Sequence, residues 1–473
     1  MKLSKQKIVL QSNVGEALLN WPSKHPLTEV EAKEAQVVST YFAPTENDIN
    51  TILFGDNLEG LSYLLLNYKG KINLIYIDPP FDSNANYYKK VFLKGQGNKS
   101  FCMKQTQYED KWTQATYLQF LYERLQLLST LLAPTGSIYV HCDWRKSHHI
   151  RLMLDEIFGA EHFRNEIIWK RGTVKGAKAR GNQFARNHDT ILYYTKSAQY
   201  TFNRQYVPFE MDYLKRFKKD DGDGLGPYRD DQAIGTRSKQ AIGDMLASGK
   251  MFEVNGKLRI KTYLKDLQGV VMDDNWSDIA EVNVMSKKRT MYPTQKPESL
   301  LERIIETSSN VGDIVLDCFS GSGTTAYVAA NLKRNFIAID NNIGAIFTTA
   351  QRLNTLKQPY TIQTVECNWP ILNNILQYKI DEAERTITIT DFDTAYIVKE
   401  YPQLADIPWQ QLIDQVEIDY AYDGQVFKPT LIDCPKAGAT IIGTYNLESS
   451  STRAMAIQIT DIFMNLFFLV IKK

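Results

Sequence analysis

The stretch Ile314-Val315-Leu316-Asp317-Cys318-Phe319-Ser320-Gly321-Ser322-Gly323-Thr324-Thr325 holds the fold in miniature. The apolar run Ile314 to Leu316 reads as a strand covered on both faces, and it stops at an aspartate. Gly321 and Gly323 then permit a tight turn and a close backbone approach to a ligand, and Thr324-Thr325 opens a helix. About twenty residues on, the strand Phe336 to Ile339 also ends in a carboxylate, Asp340, the position from which ribose hydroxyls are bound in nucleotide sites. The plainer reading of Asp340 is a cap on the helix starting near Asn342. The glycine spacing is not that of GxGxxG and there is no P-loop lysine, so those two nucleotide motifs are excluded.

The alternation of strand and helix continues on both sides. Downstream, a helix is predicted over 343–356. Upstream, one is predicted over 298–308. Further upstream lie a strand at 51–54, the helical stripe Leu58, Leu61, Leu64 and Leu65, and the apolar run INLIYI at 72–77. A helix over 115–132, with Leu118, Leu121, Leu125 and Leu128 in register, is closed by Pro134 and Gly136. After it come strand 137–141, helix 146–158 and strands 166–169 and 190–194. This rhythm predicts an α/β fold, a doubly wound, mostly parallel sheet with helices on both faces. It lapses over 200–285, which reads as an insert. Beyond 362 the strand-like runs 386–390, 416–420, 439–444 and 454–459 predict a separate, mainly β C-terminal domain. The expected organisation is an N-terminal arm (1–50), a first half (51–199), the insert (200–285), a second half (286–360) and the C-terminal domain (361–473).

The run INLIYI ends in Asp78-Pro79-Pro80-Phe81. Two prolines remove two backbone donors and restrict φ, leaving a rigid turn whose carbonyls are free to accept. Such an array suits an exocyclic amine, whose lone pair is delocalised into its ring. Hydrogen bonds from both amine protons, to Asp78 and to the Pro79 carbonyl, favour a pyramidal, nucleophilic nitrogen. A base must leave the duplex to reach such a pocket, and Phe81 offers it a stacking face.

With both motifs read, the chain resembles the amino-methyltransferases of DNA, specifically the permuted β class, in which the catalytic motif precedes the target-recognition region and the cofactor motif follows it. The likeness extends to GDNL (55–58), GSIYVHCDWR (136–145), HDTILYY (188–194) and YPTQKPESLLERII (292–305), and covers roughly 50–355. It is also similar to type III restriction-modification methyltransferase subunits. The resemblance implies a Rossmann-like methyltransferase fold and S-adenosylmethionine as cofactor. Asp317, Phe319, Gly321, Ser322, Gly323 and Thr324 would then form the cofactor turn, and Asp340 would take the ribose. Thr294, Gln295 and Lys296 would hold the methionine end, with Asp56 near the adenosine. Cys318 stands where the family usually has Pro, and Phe81 where Tyr is commoner. An Asp at the head of the tetrapeptide resembles the adenine-N6 enzymes, whereas Ser marks cytosine-N4 enzymes and Asn protein-glutamine enzymes. Double-stranded DNA is the implied substrate. Family members are often dimeric, and some pair with a restriction subunit. A cytosine-N4 methyltransferase, a DNA-recognition subunit and an RNA substrate stay open as alternatives.

Composition adds bounds. The chain has 473 residues, 43% of them apolar, and a net charge of +1, enough for a large core and two or three domains. No run approaches the ~20 apolar residues of a membrane span, and the start has no signal-peptide pattern, so a cytoplasmic location is expected. The tail at 462–470 (IFMNLFFLV) reads as a buried strand. Five scattered cysteines without a CxxC spacing argue against disulfides and zinc, and Cys318 reads as a packing residue. Residues 161–220 carry 13 Lys or Arg against 6 Asp or Glu, while 361–473 carry 8 against 15. Within the basic middle, Lys170, Arg171, Lys175, Lys178, Arg180 and Arg186 alternate with glycines, as a phosphate-binding loop would. His141, His148, His149 and His188 form no metal pattern and receive no role.

Overall fold

The computed structural model describes residues 7–9, 18–43, 49–83, 85–95, 102–172, 182–232, 237–283, 290, 292–366, 369, 371–372, 376–436, 438–447 and 454–472. Two compact units result, one of 1–203 with 274–473 and one of 204–273.

The first unit is built on a ten-stranded sheet. In chain order its strands are β1 (Gln36–Tyr41), β2 (Thr51–Phe54), β3 (Ile72–Ile77), β4 (Leu132–Cys142), β5 (Phe163–Lys170), β6 (His188–Thr195), β7 (Asn275–Trp276), β8 (Ile314–Asp317), β9 (Asn335–Asp340) and β10 (Tyr360–Thr364). Their spatial order is β7-β5-β6-β4-β3-β8-β9-β2-β10-β1, and from β4 to β10 all neighbours are parallel. Strands with helical crossovers are buried on both faces, which explains their continuous apolar runs. Leu53, Ile75, Ile77, Leu316, Ile337 and Ile339 join one core cluster with α1 (Asn57–Tyr68), α2 (Gln114–Leu131) and α3 (Ser147–Phe158). The alternate residues Ile52, Leu74, Tyr76, Val315 and Ala338 are equally buried, and the period of two puts them on the other face. There α4 (Glu298–Ser308), α5 (Thr324–Asn331) and α6 (Ile343–Asn354) pack in sequence.

Three boundaries differ from expectation. The N-terminal arm supplies β1, which pairs antiparallel with β10 at the sheet edge, so part of 1–50 belongs to the main fold. Residues 361–364 lie within β10, and the β-rich segment after it falls in the same compact unit as the sheet rather than apart from it. The reason is shared surface: Tyr41 of β1 donates to Glu417 Oε2 at 3.2 Å, and the Thr40 amide donates to the Phe427 carbonyl at 2.8 Å. The hairpin Ala85–Phe92 with Cys102–Asp110 also shares a core with the C-terminal segment through Val91, Leu93, Leu404, Leu412 and Phe463. The run expected as a strand at 439–444 is irregular until Thr444–Asn446. The apolar tail becomes Leu466–Ile471, paired antiparallel with Ala454–Asp461. Among the described residues no helix is long and apolar enough to cross a membrane.

The second unit is narrower than the expected insert. It holds a three-stranded antiparallel sheet, Tyr228–Gln232, Lys257–Tyr263 and Met251–Val254, with a helix at Lys239–Ala247.

Candidate active site

Four neighbouring parallel strands, β3, β8, β9 and β2, end in or just before aspartates: Asp78, Asp317, Asp340 and Asp56. The pairing of Leu74 with Val315 and Ile75 with Leu316 brings the two motifs side by side at the carboxyl edge, where ligands of open α/β sheets bind. All four line a cavity of 240 Å³ with Phe319, Gly321, Ser322, Thr324, Thr294 and Lys296. Trp112 and Phe120 complete its apolar wall, and their rings lie 4.7 Å apart.

The glycine turn is held by these carboxylates. Asp317 accepts from the Phe319 amide at 3.0 Å and from the Thr325 hydroxyl at 2.5 Å, joining the start of the turn to the first turn of α5. Its burial pushes its carboxyl up to about 7. Asp340 accepts from the amides of Gly321 at 2.8 Å and Asn342 at 2.9 Å, and burial pushes it up to about 6. Gly323 does not line the cavity. It sits at φ +69° as the cap of α5, and a Cβ there would collide with Thr349 of α6, so this glycine serves packing. Arg352 of α6 ties the turn down, donating to the Ser322 carbonyl at 3.0 Å and to Thr324 Oγ1 at 2.9 Å while pairing with Glu298. Asp56 caps α1 through the Leu58 amide and pairs with Arg124 at 3.3 Å. Cys318 is buried, burial raises its thiol pKa well above the usual range, and its carbonyl accepts from Asn57 at 3.1 Å, as a packing residue would have it.

A second cavity, of 620 Å³, lies against the other side of the tetrapeptide and is lined by Pro79, Phe81, Trp144, Trp169, Arg171 and Arg186. Gln295 lines this cavity and not the first, because its Oε1 is turned back to the Thr290 amide and hydroxyl. Of the residues expected to meet phosphate, Arg171 pairs with Asp189 at 3.5 Å, Lys170 ends β5 exposed, and Lys175, Lys178 and Arg180 lie outside the described residues.

Asp78, Pro80, Thr294 and Lys296 line both cavities. Asp78 is ion-paired through Oδ2 with Lys296, while its buried Oδ1 has no partner among the described residues. Around it the structure gathers residues that motif reading left unassigned. Asp110 accepts from the amides of Phe81 at 3.2 Å, Asp82 at 2.9 Å and Ser83 at 2.8 Å, and from the Ser83 hydroxyl at 2.7 Å, so one buried carboxylate holds the turn. His141, fully buried, bridges the Tyr76 hydroxyl at 2.9 Å and Asp189 at 3.2 Å and stacks on Phe81 with centroids 5.9 Å apart. His141 lies in the stretch GSIYVHCDWR, but its spacing to other histidines carries no trace of a ring contact made across the sheet edge.

Comparison with known proteins gives the family. A family model described as DNA methylase (N6_N4_Mtase) matches residues 72–351. The Type II methyltransferase M.EcaI of Enterobacter cloacae is 31% identical over 333 residues, 66% of this chain and 70% of its own length. The StyLTI Mod subunit, a type III restriction-modification enzyme of Salmonella typhimurium, is 25% identical over 399 residues, and the match spans 71% of this chain but only 60% of that subunit. The DNA adenine methyltransferase YhdJ of Escherichia coli is 26% identical over 309 residues, covering 65% and 84%. With a family match over more than half its length, and both motifs at one sheet edge in the permuted order, the chain is a member of the DNA methylase family, whose methyl donor is S-adenosylmethionine.

Proposed function

We propose that the chain is a site-specific methyltransferase that modifies the N6 amine of adenine in double-stranded DNA, with the target base turned out of the duplex into the second cavity. The observation that carries this reading is the junction at Asp78, a residue common to both cavities, with one carboxylate oxygen held and the other without a partner.

The residues of the first cavity fit the cofactor. Its four carboxylates suit a cationic ligand bearing hydroxyls, and Ser320 Oγ, buried without a partner, lines it as well. Asp340 and Asp56 would hold the ribose and adenosine, Trp112, Phe120 and Phe319 would flank the adenine ring, and Thr294 and Lys296 would hold the methionine end. Bound there, S-adenosylmethionine supplies an electrophilic methyl carbon on a sulfonium.

The remaining chemistry falls to the chain. Asp78 Oδ1 and the Pro79 carbonyl accept hydrogen bonds from the two N–H groups of the amine and so localise the lone pair on nitrogen, and the proton that nitrogen sheds on gaining the methyl group passes by way of Asp78 Oδ1 to water. Lys296 holds the carboxylate in one orientation. Phe81, backed by His141, stacks on the base, and Trp169 closes the pocket edge-on to His141 at 5.6 Å. Adenine rather than cytosine is supported by Asp at the head of the tetrapeptide and by the likeness to YhdJ, a DNA adenine methyltransferase. The test is mass spectrometry of nucleosides from DNA treated with the pure protein. N6-methyladenine is expected, and N4-methylcytosine in its place would overturn the adenine reading.

A further inference from the structure

Phe184 is fully exposed, and among the described residues none covers its ring. Its chain neighbours Gln183, Ala185 and Arg186 line the second cavity, so Phe184 sits on a segment at the edge of that cavity. Trp144, 43% exposed in the lining of that cavity, carries the Arg186 guanidinium 3.7 Å from its ring centroid. Four of the carboxylates lining that cavity are engaged by other groups, Asp78 by Lys296, Asp110 by the turn, Asp143 by Arg145, and Asp189 by His141 and Arg171, and Glu281 lines it as a fifth. Among the described residues Arg186, by contrast, meets neutral partners, the Trp144 ring and Gln183 Oε1 at 3.5 Å. A rim that pairs an unburied aromatic ring with a guanidinium facing neutral groups is complementary to a base stack edged by phosphates.

Turning a base out of a duplex leaves a gap whose walls have lost their stacking partner. Resting on the function proposed above, we propose that Phe184 is the wedge that enters the duplex and fills the gap left by the target base, with Arg186 gripping the adjoining phosphate. Insertion removes the ring from water and restores two stacking faces, both of which offset the loss of pairing. The cavity then receives the base from the side on which the wedge stands.

The test uses the full chain, wild type and the variants Phe184→Ala and Phe184→Trp, after the recognition sequence has been read by modified-base sequencing of DNA from expressing cells. Methyl transfer is measured on a paired duplex and on the same duplex with an abasic site opposite the target base. Phe184→Ala should lose about tenfold or more in kcat/KM on the paired duplex, and the abasic partner should restore most of that, because the base is then already free of its pair. Phe184→Trp, which keeps a stacking ring, should stay near wild type on both. Equal rates for Phe184→Ala and wild type on the paired duplex would overturn the wedge, as would an undiminished loss on the abasic one. Wild-type protein inactive on both substrates would instead bring down the underlying function, so the two failures are distinct.

Discussion

Lys296 holds Asp78 across 218 positions of sequence, its Nζ paired with Oδ2 and 5.5 Å from the centroid of the Phe81 ring. The contact crosses from the segment leading into α4 to the end of β3, and it leaves Asp78 one free oxygen between the two cavities. The geometry proposed for catalysis therefore depends on a pairing of Asp78 with a residue outside both motifs.

Replacing either partner separates chemistry from binding. Asp78→Ala should abolish transfer and leave DNA affinity, read by gel shift, unchanged. Lys296→Met should lower kcat about 10–100-fold, the size expected for losing a charge-assisted hydrogen bond. Activity of Asp78→Ala near that of wild type would refute its assignment as the acceptor.

Asp110→Ala leaves the Phe81, Asp82 and Ser83 amides without their shared acceptor. Urea unfolding should show a loss of about 2–4 kcal/mol, since buried donors become unsatisfied. Asp110→Asn keeps one acceptor and should recover part of both stability and kcat. Stability unchanged in the alanine variant would mean that the turn is held by other contacts.

At Gly323 an alanine meets both a positive φ and the Thr349 side chain. The expected cost is about 1–3 kcal/mol, with a lower melting temperature and weaker cofactor binding by calorimetry as the turn shifts. Gly312, also at positive φ but with open space around it, separates the two effects, because alanine there incurs backbone strain without a collision.

Burial raises Asp317 to about 7 and Asp340 to about 6, both above their unfolded value. The folded chain then binds more protons than the unfolded chain between about pH 4 and about pH 7, so these groups make stability fall as pH rises through that window. Asp317→Asn can still accept from the Phe319 amide and donate to Thr325, and it removes one of the two titrating groups. Its denaturation midpoint, followed from about pH 5 to about pH 8, should decline less steeply than that of the wild type. An identical slope would show that Asp317 does not contribute to it.

Much of the fold was legible in the chain. The helices expected at 115–132, 146–158, 298–308 and 343–356 form at Gln114–Leu131, Ser147–Phe158, Glu298–Ser308 and Ile343–Asn354. Apolar periodicity is a local property set by backbone geometry, and it survives without knowledge of the neighbours. The glycine turn and the tetrapeptide were legible for the same reason, since turn chemistry is written in adjacent residues.

The sequence by itself thus determined the parallel strands at 51–54, 72–77, 314–317 and 335–340, the helices named above, the two motifs and their permuted order. Only the tertiary structure decided that β3 lies beside β8, that Asp110 grips the turn 29 residues before it, that His141 backs Phe81, and that Gln295 faces the second cavity while Lys296 lines both. It also drew β1 and the C-terminal segment into the main unit. These outcomes depend on strand order and side-chain direction across a sheet, which bring together groups that no local period relates.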